Sequence, residues 1–373
     1  MPRRAPLKPG FGLSGDFPAA SACRQHAIVS TLPLAFSHLA RQSPHMRTPL
    51  ILFLLAATSL AHAQTPQLPH PDAVRIHEFY RLAPEIADQV WPGWSQIPAP
   101  LLLVTKDAEF LTHFPSPPAG FTKVADDLYA RPHQFSPDLL ATFPAFGPPD
   151  VIVIGEPENT KAKTSTPWLI TLMHEHFHQF QDSQPGMTAA VTALHLDHGD
   201  TSGMWMLNFP FPYEKPELGR SFAQLRDLLL AALREPDESR FRLAARQYIV
   251  ERKKFFSQLS ADDRKYLSFQ LWREGIARYV QVKSAEAAAS YHPTPEYASL
   301  ADYESFASYA ARARNLTLNE LKEADLAQWK RVVVYSFGAG EGFLLDRINP
   351  KWRDGYFQHP LTLDPYFETD SLR

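Results

Sequence analysis

Cysteine is almost absent from this sequence, since Cys23 is the only one among 373 residues. A single cysteine cannot form a disulfide within the chain. The folded protein must therefore draw its stability from a buried core, for which the 45% of hydrophobic residues provide the material.

The sequence also lacks a hydrophobic run long enough to span a membrane. Its main apolar stretch, residues 50–60, is too short to cross about 30 Å of hydrocarbon as a helix. It follows the basic segment 46–49 and precedes Ala61-His62-Ala63, which is the arrangement of a secretory signal peptide cleaved after Ala63. We therefore predict a signal peptide at residues 46–63 and no membrane anchor after its removal.

With Met46 as the expected biological start, residues 1–45 are predicted to be a non-native N-terminal extension. Arg3-Arg4 resembles a twin-arginine signal, but no clean apolar region follows it, which favours the start at Met46. Cleavage would remove Cys23, leaving neither a thiol nucleophile nor a cysteine for lipid attachment. The expected location is the bacterial periplasm or the medium outside the cell.

An excess of positive charge is missing as well. Residues 1–63 hold six of the 37 Lys and Arg and one of the 40 Asp and Glu, so the remaining 310 residues carry a net charge of −8. Nucleic acid is therefore not expected as a partner. The length fits one large domain or two in close contact, and the sequence does not indicate an oligomeric state.

The apolar pattern divides the chain into an N-terminal α/β portion, residues 64–160, and a mainly helical portion, residues 161–373. This order of elements predicts an α+β fold. The first portion is predicted to hold a helix at 73–91 interrupted at Pro84, strands at 101–105 and 150–155, and loops with one or two further strands at 106–148. The strand at 150–155 is a candidate to line a cleft and to pair with an extended peptide. Amphipathic helices are predicted at 217–234, 237–259, 261–290, 295–314 and 317–334.

One helix candidate contains the pattern H-E-x-x-H at residues 174–178. Residues four apart lie on one face of a helix, so His174 and His178 can present two imidazole nitrogens to one metal ion. Glu175 is displaced to the flank of that face, where its carboxylate can accept a proton from the attacking water. His176 points to the opposite side, where packing or solvent contact is expected.

A catalytic zinc ion needs a third protein ligand and an open position. The metzincin arrangement is excluded, because Gln181 and Gln184 stand where it requires Gly and His. The better candidate is Glu274 on a helical segment, followed by Gly275, which would let this helix approach the motif helix closely. The alternative for Glu274 is a surface ion pair with Arg278 one turn further on.

Two further segments resemble gluzincins of the aminopeptidase N type. The pattern Glu274-Gly275-x-Ala277-x-Tyr279 is similar to their third-ligand helix, E-G-x-A-x-Y, and Tyr335-Ser336-Phe337-Gly338 is similar to their Y-x-x-G segment. The resemblance implies a zincin-like fold with His174, His178 and Glu274 as zinc ligands. It also implies Glu175 as the general base and acid, and Tyr335 as the donor to the oxyanion.

The chain departs from that family at several positions. Ninety-five residues, 179–273, separate His178 from Glu274, which is far more than in the family. Arg273 replaces the usual Asn, Phe337 replaces a Lys, and no G-x-M-E-N segment is present to hold a free amino terminus. Aminopeptidase specificity is therefore not expected of this chain.

Two other clusters contain residues that could serve a function. Residues 195–200, with two histidines and two aspartates around Gly199, could ligate a metal, but this composition is more typical of a turn. The aromatic residues of the following loop are expected either to line a substrate cleft or to pack on the core. They are Trp205, Phe209, Phe211 and Tyr213.

The pattern of residues predicts a secreted or periplasmic zinc metallopeptidase that acts on a peptide or protein by means of a metal-activated water. The alternative is a non-catalytic secreted binding protein with a structural metal site. A structural zinc site is normally closed by four protein ligands, whereas the sequence supports only three with clear context around them. This number favours the enzyme. The sequence does not distinguish internal from terminal cleavage.

Overall fold

Six short strands form one mixed sheet near the start of the described chain. The computed structural model describes residues 66–367. The sheet order is β3-β4-β2-β1-β6-β5, and β1 and β6 are its parallel pair. The strands are β1 (Leu101–Val104), β2 (Ala108–Thr112), β3 (Thr122–Ala125), β4 (Leu128–Pro132), β5 (Leu140–Phe143) and β6 (Val151–Gly155).

The two central strands, β1 and β6, are buried on both faces of the sheet. Successive side chains of a strand point to opposite faces, so burial on both sides requires an apolar residue at every position. Leu103 and Ile154 join the main core beneath the helices, whereas Leu102 and Val153 join a smaller core on the other face. The predicted strands at 101–105 and 150–155 are thus confirmed.

Residues 106–148 contain four strands, β2 to β5, so the prediction of one or two was wrong. Charged residues interrupt the apolar alternation in this region. Glu109 of β2 and Arg131 of β4 are directly opposite one another and form a buried ion pair at 2.6 Å. A cross-strand pair of opposite charges stabilises a sheet. It also interrupts the alternation of apolar residues from which strands are predicted.

The expectation that the strand at 150–155 offers a pairing edge was also wrong. This strand, β6, is hydrogen-bonded to β1 on one side and to β5 on the other. Within residues 66–367, the edge strand on this side of the sheet is β5. An added strand would therefore have to pair with Leu140–Phe143.

Helices make up most of the remaining described chain, as predicted for the second portion. The longer helices are α1 (His70–Val90), α2 (Ser165–Asp182), α5 (Pro216–Arg234), α6 (Glu238–Ser257), α7 (Ala261–Gln270), α8 (Ile276–Ala287), α10 (Phe306–Glu323) and α12 (Val333–Ile348). The short ones are α3 (Met187–Thr192), α4 (Trp205–Asn208), α9 (Pro295–Ala298), α11 (Leu326–Trp329) and α13 (Trp352–Gly355). The protein is therefore α+β, with a six-stranded mixed sheet and a mainly helical C-terminal part.

Several helix boundaries differ from the predicted ones. Pro84 lies within a continuous α1 rather than interrupting it, because Leu82 and Ile86 on either side are held in the core. Asn315, which separated two predicted helices, lies in the middle of α10. The predicted helix 261–290 is continuous through α7 and α8, but a π-helical turn at Leu271–Gly275 joins them.

Helix α2 lies between the sheet and the C-terminal helices. The indole of Trp168 donates to the carbonyl of Gly155 at 2.9 Å, and the Gln179 amide donates to the carbonyls of Pro100 and Asp150. These bonds fix one side of α2 to the ends of the central strands, while α8 packs against another side. Every residue from Leu172 to Gln181 is consequently buried.

Across residues 66–367, no helix combines the length and the apolar character that a membrane span requires. The predicted signal peptide at 46–63 and the extension at 1–45 lie outside the described residues. The division at residue 160 corresponds to the end of the sheet region, since β6 is the last strand of the described chain.

Candidate metal centre

His174 and His178 occupy one face of α2, one turn apart, as their spacing predicts. Their Nε2 atoms are 3.2 Å apart, and both rings are buried. Two imidazole nitrogens that point toward the same place in a buried environment can share one cation.

Glu274 is brought to the same place from the π-helical turn between α7 and α8. Its Oε2 atom lies 3.4 Å from Nε2 of His178 and 3.8 Å from Nε2 of His174. All three candidate ligand atoms lie within 4.8 Å of one another, so these side chains could hold a metal ion. The alternative pairing with Arg278 is wrong, because Arg278 is bound to Glu320 instead, at 2.9 Å. Inserted π turns occur frequently at functional sites, and here the turn carries the third candidate ligand.

The orientation of the His178 ring is fixed by Gln181. The Gln181 amide nitrogen donates to the carbonyls of Trp272 and Arg273, so its Oε1 atom faces Nδ1 of His178 at 2.7 Å. An amide oxygen can only accept, and Nδ1 of His178 must therefore carry a proton. In the neutral ring this leaves a lone pair on Nε2, the atom that faces Glu274. The donor set and its tautomer thus fit a divalent metal ion.

The surroundings of His174 and Glu274 favour the protonation states that bind a cation. Burial lowers the pKa of His174, which favours the neutral imidazole that binds metals. Burial would raise the pKa of Glu274, but the neighbouring His178 and the charge of Arg331 outweigh this effect, so its pKa is well below the usual range. Glu274 is therefore a carboxylate in the folded protein.

Glu175 lies on the flank of the same turn of α2 and is buried. The hydroxyl of Thr142, on the edge strand β5, donates to Oε2 of Glu175 at 2.8 Å and to its backbone carbonyl at 3.1 Å. These contacts fix the carboxylate beside the three candidate ligands. Thr142 was not singled out from the sequence, because nothing in a Pro- and Phe-rich segment distinguishes this threonine from its neighbours.

Tyr335 lies on α12 next to His174, with ring centroids 6.1 Å apart. Its hydroxyl accepts a hydrogen bond from Nη1 of Arg331 at 3.3 Å. Burial raises the pKa of Tyr335, against the lowering effect of Arg331, so the hydroxyl keeps its proton. Arg331 is a second residue that the sequence reasoning missed, although it lies one helical turn before Tyr335.

Gly275 has a different role from the predicted one. A Cβ atom on Gly275 would lie 2.6 Å from Cα of Gly338, so its neighbour is α12 and not the motif helix α2. The contact with α2 is made by Arg273, whose guanidinium binds Asp182 through two bonds of 2.6 and 2.8 Å, and by Gln181. The glycine pair brings α12, with Tyr335, close to the turn that carries Glu274.

His176 packs in the core, as its position in the motif indicates. Its ring lies 5.3 Å from that of Trp94, its Nδ1 atom contacts Oε1 of Gln179 at 2.9 Å, and burial lowers its pKa to about 4. It remains neutral in the physiological pH range and takes no part in the metal site.

The segment 195–200 forms a turn, as its composition favours. His195, His198 and Gly199 have positive φ angles, and Asp200 accepts a hydrogen bond from the backbone N–H of Ser202. Among residues 66–367, the group of His174, His178 and Glu274 is the one that brings three potential ligands together. The turn therefore does not supply an alternative third ligand.

The aromatic loop packs largely on the core. Phe209 and Phe211 are buried, and Phe209 stacks on Tyr266 with ring centroids 4.4 Å apart. Trp205 is half-buried against Phe269. These contacts confirm core packing for the two phenylalanines.

No protein-family model, no curated protein and no solved structure matches this chain. The likeness to gluzincins stays a prediction drawn from three short patches of sequence. The functional conclusion therefore depends on the geometry of the site.

Proposed function

We propose that this protein is a zinc-dependent metallopeptidase. The observation that carries the proposal is the convergence of His174, His178 and Glu274, from two elements distant in sequence, with Glu175 fixed beside them. Two imidazoles and one carboxylate are the ligand set of well-known catalytic zinc sites, and three protein ligands leave a position open for reaction. The zincin-like fold belongs to this proposal as well.

A zinc ion held by these three side chains would supply Lewis acidity, which activates water and polarises a peptide carbonyl. Glu175 accepts a proton from the attacking water and later transfers it to the leaving amine. The Tyr335 hydroxyl donates a hydrogen bond to the oxygen that becomes negative in the transition state. Since the Tyr335 hydroxyl already accepts from Arg331, its own proton is free to be donated elsewhere.

The free edge of β5 supports a peptide as the substrate class. Thr142 of this strand contacts Glu175, so an extended chain paired with the edge would run beside the proposed base. Backbone hydrogen bonds along a strand edge bind peptides without regard to their side chains. We propose that the substrate binds along Leu140–Phe143.

A non-catalytic binding protein with structural zinc is the other class to test. Structural sites are usually closed by a fourth protein ligand. Within residues 66–367 no fourth His, Cys, Asp or Glu joins the three. This open position favours the enzyme.

The decisive experiment compares Glu175→Gln and His178→Ala with the wild type. Glu175→Gln should retain zinc by elemental analysis but lose nearly all cleavage of a mixed peptide library, because the proton acceptor is gone. His178→Ala should lose both zinc and cleavage. His77→Ala, at a histidine outside the site, is a control that should lose neither.

Chelator treatment completes the test. Cleavage by the wild type should stop with chelator and return with zinc. Zinc bound without any chelator-sensitive cleavage would instead support the binding protein. Full activity in zinc-loaded Glu175→Gln would contradict the role of Glu175.

We further propose that the protein works in the periplasm or outside the cell, on the basis of the signal-peptide pattern at residues 46–63.

A further inference from the structure

Arg331 is a buried cation at the edge of the candidate metal centre. Its Nη1 atom lies 3.3 Å from the Tyr335 hydroxyl, 3.4 Å from Oε1 of Gln270 and 3.9 Å from Oε1 of Glu274. Only 8% of its side chain is exposed. A buried charge is costly unless an opposite charge and hydrogen bonds compensate it.

The other buried arginines of the described chain have much closer counter-ions. Carboxylate oxygens lie 2.6 Å from Arg75, Arg131 and Arg252 and 2.9 Å from Arg278. The nearest carboxylate oxygen to Arg331 is 3.9 Å away, beyond hydrogen-bond distance. Arg331 is therefore poorly compensated for an arginine in this protein.

Two of the three guanidinium nitrogens of Arg331 bind no other described residue. The hydrogen bonds that Arg331 makes to other described residues all start from Nη1. Nε and Nη2 make no hydrogen bond to another described residue. A planar pair of N–H groups of this kind matches a carboxylate bidentately.

Metal binding would leave Arg331 with even less compensation. Glu274 faces the imidazoles with Oε2 and Arg331 with Oε1. When Glu274 serves as a metal ligand, its negative charge is shared with a divalent cation, and its attraction for the guanidinium is largely offset. Glu175 is the other carboxylate beside the metal ligands, and Thr142 holds it from the side of β5. A carboxylate on a molecule that enters the site would supply the missing counter-ion.

We propose that Arg331 is a specificity-determining residue that binds a carboxylate of the substrate next to the scissile bond. This inference rests on the proposed function and adds the substrate class to it. The carboxylate belongs either to the free C-terminus, which makes the enzyme a carboxypeptidase, or to an acidic side chain beside the bond. Both sources present the same anion to the guanidinium.

The test uses peptide pairs with zinc-loaded protein. One pair differs only in a free or an amidated C-terminus, and the second, amidated throughout, has Glu or Gln after the scissile bond. The wild type should prefer the acid of one pair by about 10- to 100-fold in kcat/KM, as expected for a hydrogen-bonded charge pair. Arg331→Gln should abolish this preference through a raised KM for the acid. The pair that shows the effect identifies the source of the carboxylate.

Matched variants separate the role of Arg331 from general effects. Arg220→Gln, an exposed residue of α5, makes the same charge change and should keep the preference. Tyr335→Phe should lower kcat for acid and amide alike. Arg331→Lys keeps the positive charge but lacks the planar pair of N–H groups, so it should retain part of the preference. This variant keeps the test valid if Arg331→Gln does not fold.

Calorimetry supplies a readout that does not need turnover. Two pairs of small ligands are compared: N-acetylphenylalanine with its amide, and the α-amide of N-acetylglutamate with that of N-acetylglutamine. In one of these pairs, zinc-loaded wild type should bind the acid more tightly than its uncharged partner. Arg331→Gln should lose this difference, whereas Arg220→Gln should keep it. No acid preference in the wild type, or a preference unchanged in Arg331→Gln, would overturn the proposal. Absence of all cleavage, with the calorimetric difference intact, would instead count against the peptidase function.

Discussion

Gln181 determines which nitrogen of His178 is available to a metal. Its amide nitrogen is committed to backbone carbonyls at Trp272 and Arg273, and to the Tyr356 hydroxyl at 2.7 Å. The amide therefore cannot rotate without losing these bonds, and its oxygen stays on Nδ1 of His178. A residue outside the ligand set thus fixes the ligand's tautomer and the approach of the Glu274 turn together.

Gln181→Leu tests this role. The variant should bind zinc about 10- to 100-fold more weakly, the usual cost of removing a partner that orients a ligand. Competition with a zinc-sensitive chelating dye measures the change. Gln184→Leu, near the same end of α2 but bonded only to the Phe180 carbonyl, is the control and should bind zinc as the wild type does. Equal affinity in both variants would show that His178 does not need Gln181.

At the residue level, the sequence predicted His174, Glu175 and His178 because their spacing is a local property of one helix. Glu274 was predicted from its neighbours, and the structure brings it to both histidines. Gln181, Thr142 and Arg331 were not assigned roles at the site. Their roles depend on contacts between elements distant in sequence. No pattern around a single Gln, Thr or Arg predicts such contacts.

At the level of elements, the crossing of α12 with the Leu271–Gly275 turn sets the distance between Tyr335 and Glu274. Gly275 and Gly338 face one another so closely that neither can carry a Cβ atom without displacing the other's backbone. Helix α12 itself was not predicted, because it is apolar almost all round and lacks the polar face that marks an amphipathic helix. The π turn was also beyond prediction, since its extra residue leaves no sequence signature.

Gly275→Ala should be destabilising although alanine is the better helix former. Its Cβ atom would meet Cα of Gly338 at 2.6 Å, so the two helices must separate. We expect a loss of about 1–3 kcal/mol in the free energy of unfolding, as for other overpacked sites, together with weaker zinc binding. Denaturant titration and zinc titration measure the two effects.

Gly219→Ala is the matched control for that change. Gly219 lies in α5 with open space around its position, so alanine should raise the free energy of unfolding by about 0.5–1 kcal/mol. A stabilising effect of Gly275→Ala similar to that of Gly219→Ala would show that the crossing is not tightly packed.

At the level of the whole molecule, the order of apolar patterns predicted α+β but not the order of the strands. Strands β1 and β6 are recognisable because both faces are buried, which demands continuous apolar residues. Their parallel pairing joins residues 51 positions apart in the chain, for which the sequence has no local signal, and β5 lies at the edge because, of the described strands, it pairs only with β6. The site draws on both parts of the fold, since Thr142 comes from the sheet and Tyr335 from α12.

The junction between the sheet and α1 makes stability depend on pH. Glu156 follows β6 and lies near Asp72 of α1, and burial together with the charges of Asp72 and Glu158 raises its pKa to about 7. An unfolded glutamate has a pKa of about 4.3. The folded state therefore binds the Glu156 proton more tightly than the unfolded state does. Protonated Glu156 stabilises the fold fully below about pH 4, and this stabilisation is lost as the pH rises through 7.

Glu156→Gln removes this dependence, because the amide resembles the protonated acid. The melting temperature of the variant should exceed that of the wild type by about 1–3 °C above pH 7, a modest gain because solvent screens a partly exposed group. The difference should vanish near pH 4. Thermal melts between pH 4 and 8, in chelator to exclude metal effects, measure it, with the exposed Glu85→Gln as the control of equal charge change. A pH-independent difference would mean that folding does not raise the pKa of Glu156.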